Sequence, residues 1–198
     1  MSEISIVDNV LQLLKQNTKF TGSSHLFKFY DKLNTFYGTH ENFSVCNEEN
    51  NLVVQSCPAI EEIMENWDDG ILSLFNSPDI DSSKLCDYTF YWLYGKLVEY
   101  NFKISNISLV YNKLSSFMKD KCFKGKDEIF YIKKVYDLKE LKNKKELYDF
   151  VEYSKYLKDI WNDGIGDNKK KYCGYTKYIF ELYKEMERKN VHQYISMK

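Results

Sequence analysis

The chain contains the segment Cys86-Asp87-Tyr88-Thr89-Phe90-Tyr91-Trp92-Leu93-Tyr94-Gly95-Lys96-Leu97, in which five aromatic residues fall within seven positions. In and just before it, Leu85, Tyr88 and Trp92 follow one another at intervals of three and four residues. That spacing places the three side chains on one face of an α-helix, so we predict a buried helix over about 82–101. Aromatic rings bury large apolar areas and dominate the packing of such a helix. The cysteine at its start could anchor it covalently if the thiols are oxidised.

Apolar residues recur at helical spacing through most of the 198-residue chain. Only two prolines and eight glycines interrupt the pattern, and the alternation typical of strands is scarce. We therefore predict an all-α fold, a compact bundle of about seven to nine helices in a single domain over residues 1–198. The other helices are expected at about 3–17, 24–37, 58–75, 106–121, 137–161 and 168–190. Residues 129–132 fit either a short strand or a helix.

The formal net charge is −1, and 27 of the 28 basic residues are lysine. Both features argue against general nucleic-acid binding. The charge is unevenly distributed, however, since residues 119–145 contain ten lysines and five acids. One interpretation is a set of solvated helix faces. The other is a basic surface that binds a sulfated glycan or another anionic partner. The candidate residues for that surface are Lys133, Lys134, Lys144 and Lys145.

The sequence contains no pattern that predicts catalysis. It has no glycine-rich phosphate loop and no nucleophile elbow. Aligning Gly70 or Gly164 with the invariant glycine of a calcium loop places Trp67 or Trp161 where an oxygen ligand is needed. The five cysteines form no C-x-x-C pair, and the three histidines are isolated, so no zinc site is expected. We predict no catalytic residue, no metal ligand and no cofactor, and therefore a protein that is not an enzyme.

The cysteines leave two redox states open. An odd number of cysteines in a chain without an apolar secretory signal favours reduced, buried thiols. Two disulfides with one thiol left over would be equally compatible with the count, and the spacing does not select a pairing. No apolar run of about 18 residues is present, so no transmembrane helix is predicted.

Three segments together resemble a known protein family. The early block, Cys86–Leu97, resembles the C-x-Y-x-x-Y-W-L-x-x-K-L hallmark of the Plasmodium interspersed repeat (PIR/VIR) family of malaria parasites. Leu147–Phe150 resembles its L-Y-D-Y segment. The late block, Tyr172–Met186, resembles its Y-C-x-Y and L-Y-K motifs. The resemblance covers roughly residues 25–190, with the segments in the family's order.

The resemblance implies a helical, disulfide-bonded ectodomain. The disulfide candidates are Cys46, Cys57, Cys86, Cys122 and Cys173. A further family cysteine is common just before the late block, where this chain has Lys169-Lys170-Lys171, so one thiol is expected to lack a partner. Family members usually have a transmembrane helix and a short tail after the ectodomain. This chain is expected to be the ectodomain alone, attached to a membrane only through that missing segment.

The same resemblance implies a variant surface antigen, which the parasite exports to the infected erythrocyte. The implied partners are a host-cell receptor protein or glycan and host antibodies, and the implied role is immune evasion by binding without catalysis. No nucleic-acid partner is expected. The alternative is an intracellular helical scaffold in parasite protein export or host-cell remodelling, whose cysteines would be reduced.

Overall fold

The computed structural model describes residues 3–38, 43, 46, 57–71, 82–100, 102–122, 138–162 and 168–196. These residues form eight α-helices and one π-helical segment, with no β-strand among them, which confirms the predicted all-α class. The α-helices are α1 (Glu3–Lys15), α2 (Thr18–Ser23), α3 (His25–Phe36), α4 (Pro58–Glu65), α5 (Ser82–Glu99), α6 (Ile104–Cys122), α7 (Leu138–Asn162) and α8 (Lys169–Ser196). The π-helical segment is Trp67–Ile71. Residues 129–132, where a strand or a helix was open, lie outside the described residues.

Helix α2 was not predicted, and its cause is local. Helix α1 ends at Lys15, two residues before the predicted end, and Asn17 starts a new helix. The backbone N–H of Phe20 donates to Asn17 Oδ1 at 3.0 Å, which satisfies one of the free amides of the first turn. Ser24 plays the same part for α3, since the backbone N–H of Phe27 donates to Ser24 Oγ at 3.2 Å.

The helix predicted over 58–75 changes its hydrogen bonding after Glu65. The backbone N–H groups of Gly70 and Ile71 both donate to the carbonyl of Asn66, at 2.9 and 2.8 Å. The bond from Ile71 spans five residues, which is the π-helical pattern. A Cβ at Gly70 would lie 3.2 Å from Asn66 Cβ, so glycine suits this wider turn. Residues 72–75 lie outside the described part of the chain.

The chain divides into two compact units, and the prediction of one domain stays a prediction. The central unit comprises residues 29–141 and the terminal unit comprises residues 1–28 with 142–198. In the central unit α5 packs on α6, and α4 packs on α6. In the terminal unit α1 packs on both α2 and α8.

Candidate interaction surfaces

The early block forms the core of the central unit. Tyr88, Trp92 and Leu93 are buried, as predicted. The indole Nε1 of Trp92 donates to Asn34 Oδ1 at 2.9 Å. The ring of Tyr88 meets Phe29 edge to face, with centroids 5.5 Å apart. These contacts join α5 to α3, so the aromatic residues of the early block hold the scaffold together and are not available to a partner.

A second aromatic layer covers the other end of α5. The ring of Phe43 meets Trp92 at a centroid distance of 6.0 Å and stacks on Tyr100 at 5.2 Å. The hydroxyl of Tyr100 donates to the carbonyl of Gly38 at 3.1 Å. On the α6 side, Tyr111 donates from its hydroxyl to the carbonyl of Phe90 at 3.1 Å. Burial raises the pKa of Tyr111 well above its usual value, so its phenol stays neutral.

The cysteines divide between the two units. Cys46 and Cys57 form a disulfide with Cα atoms 4.7 Å apart. Cys86 at the start of α5 is also disulfide-bonded, while the side chain of Cys122 lies outside the described part of the structure. Cys173 on α8 is a free, exposed thiol. The central unit therefore contains oxidised cysteines, and the late block contains the thiol that the resemblance leaves without a partner.

The late block has one buried face and one exposed face. Its buried side chains are those of Tyr172, Tyr175, Ile179, Leu182 and Met186. On the exposed face, Phe180 and Tyr183 are 59% and 52% accessible. Lys184 Nζ lies over the Phe180 ring, 4.8 Å from its centroid. Exposed aromatic side chains next to a cation are typical of protein-binding surfaces.

Where α7 and α8 meet, the two helices share a group of polar side chains. Tyr178 donates from its hydroxyl to Glu146 Oε2 at 2.6 Å, and Lys145 forms an ion pair with Asp149. Burial raises the pKa of Tyr175, and the negative charges of Asp149 and Glu146 raise it further. Tyr175 is buried and packs against Phe150, with ring centroids 5.6 Å apart.

The acids of the central unit are partly neutralised by α6. Lys113 pairs with Glu61 and Lys121 pairs with Asp68. Between these pairs the ring of Trp67 meets Phe117 edge to face, with centroids 5.9 Å apart. Since the residue numbers rise together in all three contacts, α6 runs parallel to α4 and the π-helical segment. Partly exposed ion pairs of this kind typically add about 1 kcal/mol or less to stability.

The predicted basic surface is only partly visible. Lys133 and Lys134 lie outside the described residues, Lys144 is exposed, and Lys145 is committed to Asp149. The spacing of four residues between Lys145 and Asp149 was readable from the sequence as a helical ion pair. Anion binding by these four lysines stays a prediction.

Neither a metal site nor a membrane span is present in the part of the chain that the structure describes. Among those residues, no three His, Cys, Asp or Glu side chains are grouped so that they could hold a metal ion. No helix among them is long and apolar enough to cross a bilayer. The candidates for function are the surfaces described above, where a partner could bind.

Comparison with known protein families gives a match over most of the chain. A family model described as Plasmodium vivax Vir protein matches residues 24–196. The matched range contains both the buried early block and the half-exposed late block. No curated protein shows a significant match, and neither does any solved structure.

Proposed function

This chain belongs to the Plasmodium Vir family, and on that premise we propose that it is a variant surface antigen. In this proposal the parasite exports it to the infected erythrocyte, where the helical scaffold binds host receptors or antibodies and contributes to immune evasion. The chain acts by binding and carries out no reaction. The observation that carries the proposal is the family match over residues 24–196.

The division between buried and exposed residues supports this reading. The early block is committed to packing around Trp92, which is 3% accessible. The helix face with Phe180 and Tyr183 is open to solvent. A rigid core that carries exposed aromatic and charged side chains suits a binding protein, because variation on the outside leaves the core contacts intact.

Display on the infected cell is the direct test. Antibodies raised against the folded chain are applied to intact infected erythrocytes and, in parallel, to permeabilised ones. We expect labelling of intact cells, with an antibody to a protein of the parasite interior as the control for membrane integrity. Labelling that depends entirely on permeabilisation would contradict surface display and favour an intracellular scaffold.

The cysteines separate the same two functions chemically. The disulfide between Cys46 and Cys57 favours the antigen, because disulfides persist in oxidising environments. We expect protein isolated from infected cells under thiol-blocking conditions to retain this bond. Quantitative alkylation of both cysteines in such protein would favour the reduced, intracellular alternative.

A further inference from the structure

Six exposed lysines lie at or near the ends of four helices in the terminal unit. Lys15 ends α1 and Lys19 lies in α2. Lys158 lies near the end of α7, and the run 169–171 begins α8. We call this set the lysine cluster; its members are Lys15, Lys19, Lys158, Lys169, Lys170 and Lys171.

The packing of α7 against α8 brings most of these residues to one end. The rings of Phe150 and Tyr175 meet with centroids 5.6 Å apart, and Tyr178 reaches back to Glu146. The two helices are therefore antiparallel. Tyr156 lies six residues after Phe150, and the start of α8 lies six residues before Tyr175. Because the helices are antiparallel, these two positions lie at a similar height along the helix pair.

Helix α2 lies at the same end. The ring of Phe20 meets Tyr153 edge to face at 5.0 Å and Tyr156 at 5.7 Å. The hydroxyl of Tyr156 donates to the carbonyl of Ser23 at 2.7 Å. Since Lys15 is only three residues before α2, the end of α1 belongs to this part of the unit as well.

Four of the six lysines have no ion-pair partner among the residues that the structure describes. Within the described part of the chain, Lys15, Lys158, Lys170 and Lys171 form no ion pair. The acids nearby in sequence are three: exposed Asp159, together with Asp163 and Asp167 in the connection between α7 and α8. Six lysines thus exceed the neighbouring acids, in a chain whose formal net charge is −1.

The run 169–171 is also unfavourable for the helix that it begins. The first turn of α8 contains three lysines and no acid. The N-terminus of a helix carries partial positive charge, so each lysine there interacts unfavourably with the helix dipole. An anion bound between these lysines would relieve the repulsion, which gives such a ligand an energetic advantage.

We propose that the lysine cluster binds a sulfated glycan chain. Flexible lysines act as point charges and suit sulfate groups spread along a polymer. A bilayer is a weaker candidate, because the exposed large apolar side chains of the described terminal unit are Val151, Phe180 and Tyr183. Each lies at least seven residues from the cluster along its helix, which is about 10 Å. The described cluster therefore has no exposed large apolar side chain beside it that could insert into a bilayer. Nucleic acid is disfavoured because the cluster has neither arginine nor an exposed aromatic ring.

This inference deepens the proposed function by naming a partner class, and its biological setting rests on that function. The binding itself can be measured on the isolated chain. Heparin binding without surface display would count against the antigen and leave the lysine cluster intact. Surface display without heparin binding would overturn only the proposal that the lysine cluster binds a glycan.

The test measures affinity for a heparin oligosaccharide at several salt concentrations. The first variant is Lys158→Gln, Lys170→Gln and Lys171→Gln. The matched control removes three charges from the predicted basic surface, as Lys133→Gln, Lys134→Gln and Lys144→Gln. We expect the first variant to lose about tenfold or more in affinity at physiological salt and to have a weaker salt dependence. The control variant is expected to bind like the unmodified chain.

A larger loss in the control than in the first variant would overturn the inference and assign binding to the predicted surface. Tighter binding to phosphatidylserine vesicles or single-stranded DNA than to heparin would overturn it as well. A folding control comes from Lys170→Glu with Lys171→Glu, which improves the interaction with the helix dipole. We expect this variant to melt at a higher temperature and yet bind heparin more weakly, a combination that a folding defect cannot produce.

Discussion

The early and late blocks have similar compositions, but the late block has an exposed aromatic face as well as a buried one. Both combine tyrosines, leucine, a cysteine and lysine. In the early block Trp92 and Tyr88 are buried and Cys86 is oxidised. In the late block Tyr183 is half exposed and Cys173 is a free thiol.

The difference indicates that residues of similar type have different roles in the two blocks. Rings on α5 meet rings on α3 and α6. Trp92 also donates to the side chain of Asn34 on α3, and the carbonyl of Phe90 accepts from Tyr111 on α6, so a change of shape there is transmitted to packing. The exposed side chains on the outer face of α8 make fewer packing contacts of this kind. We infer that the early block determines the stability of the scaffold and that the late block can vary on its outer face.

Trp92→Ala should produce the largest effect, because it removes a 3% accessible ring and its bond to Asn34. We expect the free energy of unfolding to fall by about 3–5 kcal/mol. Tyr183→Ala is the matched change in the late block, where the ring is 52% accessible, and should cost about 0.5 kcal/mol or less. Urea denaturation followed by circular dichroism measures both. Equal losses would remove the distinction between the blocks.

The second contrast concerns sulfur. The disulfide closes a loop with a sequence separation of 11, so Cys46→Ser with Cys57→Ser should destabilise the central unit by about 3 kcal/mol. Cys173→Ser should leave the unfolding free energy unchanged and abolish maleimide labelling of the native protein. Native labelling that survives Cys173→Ser would show that the late block is not the site of the reactive thiol.

The helices were predictable wherever apolar spacing persists over several turns. Helix α5 follows from Leu85, Tyr88 and Trp92. Helix α2 was missed because six residues give no usable periodicity and its start depends on one side chain, that of Asn17. The π-helical segment depends on two backbone bonds to one carbonyl, and apolar spacing carries no information about them.

The candidate surfaces were less predictable, because they depend on which distant residues meet. The run 169–171 was visible in the sequence, but it indicated only a missing cysteine. Its proximity to Lys158 and Lys19 requires the antiparallel packing of α7 and α8 and the contact of Phe20 with Tyr153. Local charge density predicted a different group of lysines, of which Lys145 is paired.

Tyrosine ionisation should also differ between the folded and unfolded states in each of the two units. Burial raises the pKa of Tyr111 and of Tyr175 above the ordinary value of 10.0. The folded state therefore retains these protons when the unfolded chain loses them. Their contribution is fully present below pH 10 and decreases as pH rises above it, by about 1.4 kcal/mol per pH unit for each tyrosine.

Denaturation at several pH values between about 9 and 11 tests this linkage. Tyr111→Phe and Tyr175→Phe should each reduce the slope of the unfolding free energy against pH. Asp149→Asn sharpens the comparison. It removes a negative charge that raises the pKa of Tyr175, so it should allow earlier ionisation in the late block alone. If neither phenylalanine variant changes this slope, the raised pKa of the two tyrosines in the folded state would be contradicted.

The smallest expected effect separates two ion pairs by their exposure. The side chains of Lys113 and Glu61 are 29% and 39% accessible, and those of Lys145 and Asp149 are 19% and 10% accessible. Double-mutant cycles with glutamine and asparagine should give a coupling of about 0.2–1 kcal/mol for the pair in the central unit. The pair on α7 should couple more strongly and lose less of its coupling in 1 M NaCl, because salt screens buried charges less. If salt weakened both pairs equally, the pair of Lys145 and Asp149 would be as open to solvent as the ion pairs on α6.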